Sequence, residues 1–159
     1  MLRVRPAQEN DMPIVHQLIA DLAAFEREPQ EVELSLSQLV KDGFSDKPKY
    51  KCFVAELDGS IVGMALVYPR YSTWKGTVIH LEDLIVNEAQ RGKGIGTKLL
   101  DKVVEYGHQL GVKRISWEVL DWNEPAIKFY EQKGAKVMRD WDVVQLNQKG
   151  IEEYLKLRK

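Results

Sequence analysis

A glycine-rich turn between a β-type segment and an amphipathic segment constrains this fold more than any other feature. The β-type run covers 78–86, the turn reads Gln90-Arg91-Gly92-Lys93-Gly94-Ile95-Gly96, and a helical pattern extends from Ile95 to Leu110. Glycine adopts conformations that a Cβ forbids, and the first turn of a helix presents unpaired N–H groups at the positive end of its dipole. This order predicts a pyrophosphate cradle, with a tight connection that binds nothing as the alternative.

Size and charge set the broad class of protein. A chain of 159 residues predicts one domain over 1–159, and a net charge of −1 argues against a nucleic-acid surface. No apolar run approaches the length needed to cross a membrane, so we expect no membrane partner. Cys52 is the only cysteine, which excludes an internal disulfide and favours a cytoplasmic location. Its apolar strand-like surroundings indicate a buried small side chain rather than a nucleophile.

Hydrophobic periodicity and turn residues predict the element order β-α-α-β-β-β-α-β-α-β, followed by a last helix. The predicted elements are strand 2–5, a helix capped by Asn10 or Asp11, a helix capped by Ser35, strands 51–57 and 60–68 joined at Asp58-Gly59, strand 77–86, helix 95–110 ending before Gly111, strand 114–119, helix 125–132, strand 136–146 and helix 150–157. Hairpin connections predict a mostly antiparallel α/β sheet, except that 77–86 and 114–119 should run parallel across their crossover helix.

Two acidic residues interrupt the apolar strand that precedes the glycine turn. Glu82 and Asp83 lie between Ile79-His80-Leu81 and Leu84-Ile85-Val86. Buried carboxylates need partners or a wet cleft, and alternation along a strand places these two on opposite faces. Glu82 is therefore a candidate proton acceptor, with an ordinary ion pair as the alternative. His80 shares the face of Glu82 and receives no role.

A second motif follows near the chain's end, in Asp121-Trp122-Asn123-Glu124-Pro125-Ala126-Ile127-Lys128-Phe129-Tyr130-Glu131-Gln132-Lys133-Gly134-Ala135. Its Asn before a Pro can simply be a helix cap, and its aromatic pair can simply be core. Together with the glycine turn, the block resembles the two motifs of the GNAT superfamily of N-acetyltransferases. The resemblance extends over nearly the whole chain to the diamine (spermidine/spermine) and thialysine N-acetyltransferase group.

The resemblance implies a GNAT-like fold, with a mixed sheet, helices on both faces and a glycine-loop site for acetyl-CoA. The residues implied for that co-substrate are Leu84, Ile85, Val86, Arg91, Gly92, Lys93, Gly94, Ile95, Gly96, Asn123, Glu124, Pro125, Ala126 and Lys133. The implied catalytic residues are Tyr130, as general acid, and Glu82. The implied amine-binding residues are Phe25, Glu26, Ser72 and Glu82.

The implied reaction is direct transfer of acetyl to a primary amine of a small diamine, polyamine or thialysine/lysine-like molecule, in a ternary complex. Polyamine enzymes carry an aspartate where Ser72 stands, so a shorter or lysine-like amine is at least as plausible. A protein-lysine acetyltransferase and a non-catalytic acetyl-CoA-binding module remain alternatives. No metal is expected, because no cluster of His, Cys and carboxylates has ligand spacing. We expect a homodimer, from the resemblance and from the apolar stretch Val137 to Leu146.

Overall fold

The structure is a computed structural model that describes residues 1–157 and divides into two compact units, Met1–Glu118 and the chain from Val119 onward. The elements of the first unit are β1 (Leu2–Pro6), α1 (Met12–Phe25), α2 (Leu36–Phe44), β2 (Lys51–Leu57), β3 (Ser60–Ser72), β4 (Gly76–Val86), α3 (Ile95–Gln109) and β5 (Ile115–Ser116). The elements of the second unit are α4 (Glu124–Gln132) and α5 (Gln148–Lys156). The α/β class and most of the predicted elements are confirmed.

The sheet of the first unit has the strand order β1-β2-β3-β4-β5. The first four strands pair antiparallel and β5 pairs parallel to β4, as the crossover through α3 predicts. The β2–β3 hairpin turns at Asp58 and Gly59, both with positive φ. Such a turn matches the twist of the flanking strands, so this sequence prediction is confirmed.

Helices cover both faces of this sheet. Cys52 and Val54 lie in a buried cluster with residues of α1 and α2. Phe53, between them, turns to the other face, where its ring meets Tyr106 of α3 edge-on at 5.6 Å between centroids. The alternation of β2 side chains therefore supplies both layers of the core, and the prediction of helices on both faces is confirmed.

Helix ends follow local chemistry, with one correction. Ser35 Oγ accepts a hydrogen bond from the Gln38 amide at the start of α2, as predicted. Gly111, with φ of +67°, follows α3 where a left-handed residue was expected. The predicted side-chain cap of α1 is wrong: Asp11 precedes this helix without capping it. Its carboxylate binds the Arg5 guanidinium instead, at 2.7 and 3.0 Å.

Two predicted strands differ from the structure. The predicted strand 114–119 shortens to Ile115–Ser116, because only these residues pair with β4. The predicted strand 136–146 is wrong, since the described part of the second unit contains helices and no strand. Its apolar side chains, such as Trp141 and Val144, are exposed. Apolar alternation makes a strand only when a neighbour takes up the backbone hydrogen bonds, and nothing in 136–146 is paired in that way.

No helix within residues 1–157 combines the length and the apolar character that a membrane-crossing helix needs.

Candidate active site

The glycine turn between β4 and α3 has the backbone geometry of an anion cradle. Gly92 and Gly94 have φ of +75° and +77°, and Gly94 is the N-terminal cap residue of α3. The N–H groups of its first turn have no partner within the helix, and no side chain among the described residues caps them. A Cβ on either glycine would meet open space, so the glycines are required by their positive φ rather than by crowding.

Two cations of the turn are held by the protein itself. Arg91 Nε donates to the Val86 carbonyl at 3.1 Å, and its guanidinium lies 5.2 Å from the centre of the Phe25 ring. Lys93 Nζ donates to Gln90 Oε1 at 2.7 Å. Beside them is a cleft of about 740 Å³. It is lined by Asp21, Ala24, Phe25, Ile85, Val86, Asn87, Glu88, Ala89 and Arg91.

The second half of β4 has an open edge. Pairing with β5 is confined to Ile79 and His80, so β4 continues beyond its parallel neighbour in the described sheet. The Asn87 amide donates to the Val62 carbonyl of β3 at 2.8 Å. Because backbone groups alternate in direction along a strand, Leu84 and Val86 direct their N–H and C=O groups to the opposite, open edge. Ile85, which the resemblance grouped with Leu84 and Val86 as a contact of acetyl-CoA, has a side chain buried in the core.

A β-bulge lies at the acidic pair and corrects its predicted orientation. Leu66 pairs with Asp83, but Val67 pairs with Leu81, so Glu82 is an extra residue on β4. Regular alternation predicted opposite faces for Glu82 and Asp83, and that prediction is wrong. Leu66, opposite Asp83, belongs to the core cluster beneath α1 and α2, and Glu82 binds a tyrosine packed against the same cluster. The bulge therefore brings both carboxylates to the face that α1 covers.

Three carboxylates influence one another at this place. Partial burial raises the pKa of Asp83 to about 6, and the negative charges of Glu82 and Glu26 add to that effect. Desolvation also raises the pKa of Glu26, at the end of α1. Uncompensated negative charge of this kind favours a bound cation. Neither Glu26 nor Asp83 forms an ion pair with a cation in the described structure, a feature that the sequence could not reveal.

Glu82 has two partners on β3 and β4. Its Oε2 accepts a hydrogen bond from Tyr68 Oη at 3.0 Å and lies 3.6 Å from His80 Nε2. Burial raises the pKa of Tyr68 to about 12, with the bond to Glu82 as a second cause, so Tyr68 remains a hydrogen-bond donor at neutral pH. Sequence reasoning placed His80 on the face of Glu82 correctly but missed Tyr68. Tyr68 was missed because its place opposite His80 depends on the register between β3 and β4.

The surroundings of Ser72 and Cys52 indicate that both side chains serve the fold. Ser72 Oγ accepts hydrogen bonds from the amides of Trp74 and Lys75 in the β3–β4 turn. Burial raises the pKa of the Cys52 thiol to about 12, which suppresses its nucleophilic thiolate. The interpretation of Cys52 as a buried small side chain is confirmed.

The second motif forms α4, the first of the two helices described in the second unit. Asn123 caps α4 by accepting from the Ala126 amide at 3.4 Å, and Glu124 and Pro125 lie in its first turn. Tyr130 is buried, with its ring 5.3 Å from that of Phe129. Lys133 lies 6.0 Å from the Phe129 ring centre. In residues 1–157 no group of three His, Cys or acidic side chains is arranged to hold a metal ion.

Comparison with known proteins gives consistent matches. The acetyltransferase (GNAT) family model matches residues 15–135. The chain is 39% identical over 142 residues to the thialysine N-epsilon-acetyltransferase of Mus musculus, covering 84% of each protein. It is 33% identical over 140 residues to spermidine/spermine N(1)-acetyltransferase-like protein 1 of Homo sapiens, covering 84% of this chain and 20% of that protein.

A solved structure has a similar fold. An integron cassette protein from the mobile metagenome of V. cholerae superposes with a TM-score of 0.79 at 20% identity, covering 98% of each chain. The family model spans most of this chain, and relatives above 30% identity span more than two thirds of it. The protein therefore belongs to the GNAT family of acetyltransferases, enzymes that transfer an acetyl group to amines.

Proposed function

We propose that this enzyme transfers acetyl from acetyl-CoA directly to the terminal primary amine of a lysine-like amino acid or small diamine, with both substrates bound together. The observation that carries this proposal is the β4 bulge. It turns Glu82 and Asp83 to the face of Glu26, immediately before the open edge of β4. An amine cation and a thioester can thus be held at adjacent positions on one strand.

The residues of the glycine turn fit the pyrophosphate of acetyl-CoA. The unpaired amides at the start of α3 and the open space at Gly92 and Gly94 suit a bound anion. Arg91 and Lys93 can add charge-assisted hydrogen bonds. The backbone groups of Leu84 and the N–H of Val86 are available to pair with the amide-containing arm of the co-substrate, much as a strand pairs with a sheet edge, while the Val86 carbonyl already accepts from Arg91. Asn123, Glu124, Pro125, Ala126 and Lys133 remain proposed contacts by resemblance.

Carboxylates on the α1 face would bind the acceptor and remove its proton. A free alkylamine resembles lysine, with a pKa near ~10.4, and is almost fully protonated at neutral pH. Glu26, Asp83 and Glu82 attract that cation, and Glu82 accepts the proton directly or through water. Phe25, at the end of α1, would contact the acceptor's methylene groups. Holding the amine beside the thioester supplies much of the acceleration.

Acetyl-CoA supplies an activated acyl group and a thiolate leaving group. As the amine attacks, the N–H groups of Leu84 and Val86 can stabilise the negative charge that develops on the carbonyl oxygen. Tyr130 is proposed, by resemblance to the family, to donate a proton to the departing sulfur.

The preferred acceptor is proposed to be short. A long polycation needs carboxylates along its length, whereas Ser72 holds a turn and offers no negative charge. A relative covered over most of its length is named for acetylation of thialysine, an amino acid with a terminal amine. A lysine-like acceptor fits both observations better than spermine does.

A homodimer is also proposed. The chain from Met138 to Leu157 exposes many large apolar side chains, and a second copy could cover them. These side chains are Met138, Trp141, Val143, Val144, Leu146, Ile151, Tyr154, Leu155 and Leu157. Sedimentation equilibrium should give a mass near twice 18.3 kDa, and a mass near one chain would contradict the proposal.

The test of the reaction is thiol release from acetyl-CoA with a panel of thialysine, lysine, ornithine, diamines, spermine, aminoglycosides and lysine peptides. We expect turnover with short amines, and a decrease of about 10²–10³-fold in kcat for Glu82→Gln. Glu105→Gln, on the exposed surface of α3, is the control and should match wild type. Turnover with peptides alone would favour a protein acetyltransferase, and binding of acetyl-CoA without turnover would favour a non-catalytic module.

A further inference from the structure

His80 is a buried titratable side chain for which the proposed reaction supplies no role. It lies on β4, two residues before Glu82, and is 7% exposed. Its neighbours along the strand, Ile79 and Leu81, are buried and apolar. An imidazole in such surroundings costs free energy unless polar groups satisfy its nitrogens.

Polar groups face both nitrogens of the ring. Nδ1 lies 3.5 Å from Ser116 Oγ on β5, and Nε2 lies 3.6 Å from Glu82 Oε2. When the Ser116 hydroxyl donates to Nδ1, the ring hydrogen is on Nε2 and is directed at the carboxylate. Ser116, His80 and Glu82 thus form a chain of contacts from β5 to the proposed proton acceptor. These separations are long, as such contacts often are before substrates bind.

Tyr68 completes the arrangement from the neighbouring strand. It pairs with His80 in the β3–β4 register, and the two rings lie 5.2 Å apart at 43°. Its hydroxyl donates to Glu82 Oε2, the oxygen that His80 also approaches. Both contacts use Oε2, and among the described residues no side chain donates a hydrogen bond to the other oxygen, Oε1. One oxygen of Glu82 is therefore anchored, and the other is available.

We propose that His80 is a positioning residue, which together with Tyr68 holds Glu82 Oε2 so that Oε1 accepts the proton of the amine. This proposal rests on the proposed acetyl transfer. The Glu82 side chain is half exposed, and without anchoring it would sample several rotamers. A proton acceptor must approach its donor to about 2.6–3.2 Å, so each unproductive rotamer reduces turnover. The buried ring supplies a rigid support that the exposed bulge lacks.

The test compares His80→Leu with His80→Gln, which keeps an N–H donor on a side chain of similar reach. We expect His80→Leu to lower kcat about 10-fold, with an unchanged KM for acetyl-CoA, and His80→Gln to recover most of that loss. In a Glu82→Gln background His80→Leu should cause no further loss, because the carboxylate that it positions is already gone. His108→Leu, at the exposed end of α3, is the matched control.

Tyr68→Phe provides a second variant in case His80→Leu does not fold, as judged by circular dichroism. Tyr68→Phe should lower kcat about 5-fold in the wild-type background and should cause no loss in the Glu82→Gln background. Tyr71→Phe, at an exposed position, is its control. Equal losses in both backgrounds would overturn the positioning role, because they would indicate a general structural effect. If the enzyme is active and neither variant changes kcat, the positioning role is overturned while the acetyl-transfer proposal stands. A wild-type protein inactive with every amine would overturn the acetyl-transfer proposal as well.

Discussion

Two groups of carboxylates in the first unit contain the same residue types in opposite electrostatic surroundings. Asp11 and Glu56 share the guanidinium of Arg5, with contacts of 2.7 to 3.0 Å. Glu26, Glu82 and Asp83 gather around the β4 bulge without a cation. The Arg5 bond lowers the pKa of Asp11, whereas burial and neighbouring charges raise the pKa of Asp83. The first group stabilises the fold, and the second is the group that we propose attracts the amine.

The difference follows from where each group lies. Arg5 is on β1 opposite Val54, and Glu56 lies two residues along β2, so the sheet register brings Glu56 to the guanidinium. Asp11 reaches the same guanidinium from the turn that precedes α1. The bulge on β4 instead adds a residue whose side chain lacks a regular cross-strand partner. A regular strand would separate Glu82 from Asp83. The irregular one concentrates negative charge, and under the proposed function a bound amine would offset the cost of that charge in stability.

The largest expected effect on stability comes from breaking the paired group. Arg5→Gln should lower the free energy of unfolding by about 2–3 kcal/mol at pH 7, because buried Asp11 loses its cation. The deficit should shrink as the pH falls below 3.8, where Asp11 becomes protonated in the unfolded chain, and should disappear below the lowered pKa that Asp11 has in the fold. Urea unfolding at pH 7 and pH 3 measures both values. Arg3→Gln, exposed on the same strand, is the control.

The unpaired group should respond with the opposite sign. The folded-state pKa of Asp83 is about 6 against 3.8 unfolded, so ionised Asp83 destabilises the fold above pH 6. Asp83→Asn should therefore raise the free energy of unfolding by about 1–2 kcal/mol at pH 8, a value reduced for partial exposure. The gain should fade as the pH falls from 6 to 4, because below about pH 4 the wild-type carboxyl is protonated in both the folded and the unfolded state. Urea unfolding across this range, with exposed Asp46→Asn as control, provides the test. A loss of stability at pH 8 would contradict our account of the cluster.

The smallest effect should come from the outer member of the paired group. Glu56 bonds Arg5 Nε at 2.8 Å but is more exposed than Asp11. Glu56→Gln keeps an acceptor and removes one charge, so we expect a loss of about 0.5–1 kcal/mol at pH 7 by the same urea titration. A loss as large as that of Arg5→Gln would mean that Glu56, rather than Asp11, is the main partner of the guanidinium.

Much of the fold and part of the site could be predicted because their signals are local. The turns at Asp58-Gly59 and at Gly111, after α3, require positive φ, which these residues adopt readily. Ser35 offers a side-chain oxygen to the amides at the start of α2. Strand 136–146 was predicted wrongly, because its apolar alternation has no hydrogen-bonded neighbour in the described structure. The orientation of Glu82 and Asp83 was wrong as well, since a bulge depends on the pairing of β3 with β4.

Residue order alone predicted the strand, glycine turn and helix around 78–110, the parallel pairing of β4 with β5, and membership of the GNAT family. Each depends on periodicity, backbone freedom or motif spacing, which are properties of neighbouring residues. The packing of the folded chain was needed to show that three carboxylates share one face and that Tyr68 and His80 contact the same oxygen of Glu82. Those contacts connect different strands and helices, and they depend on the shift of register at the β4 bulge. Coulomb interactions depend on the resulting distances rather than on order along the chain.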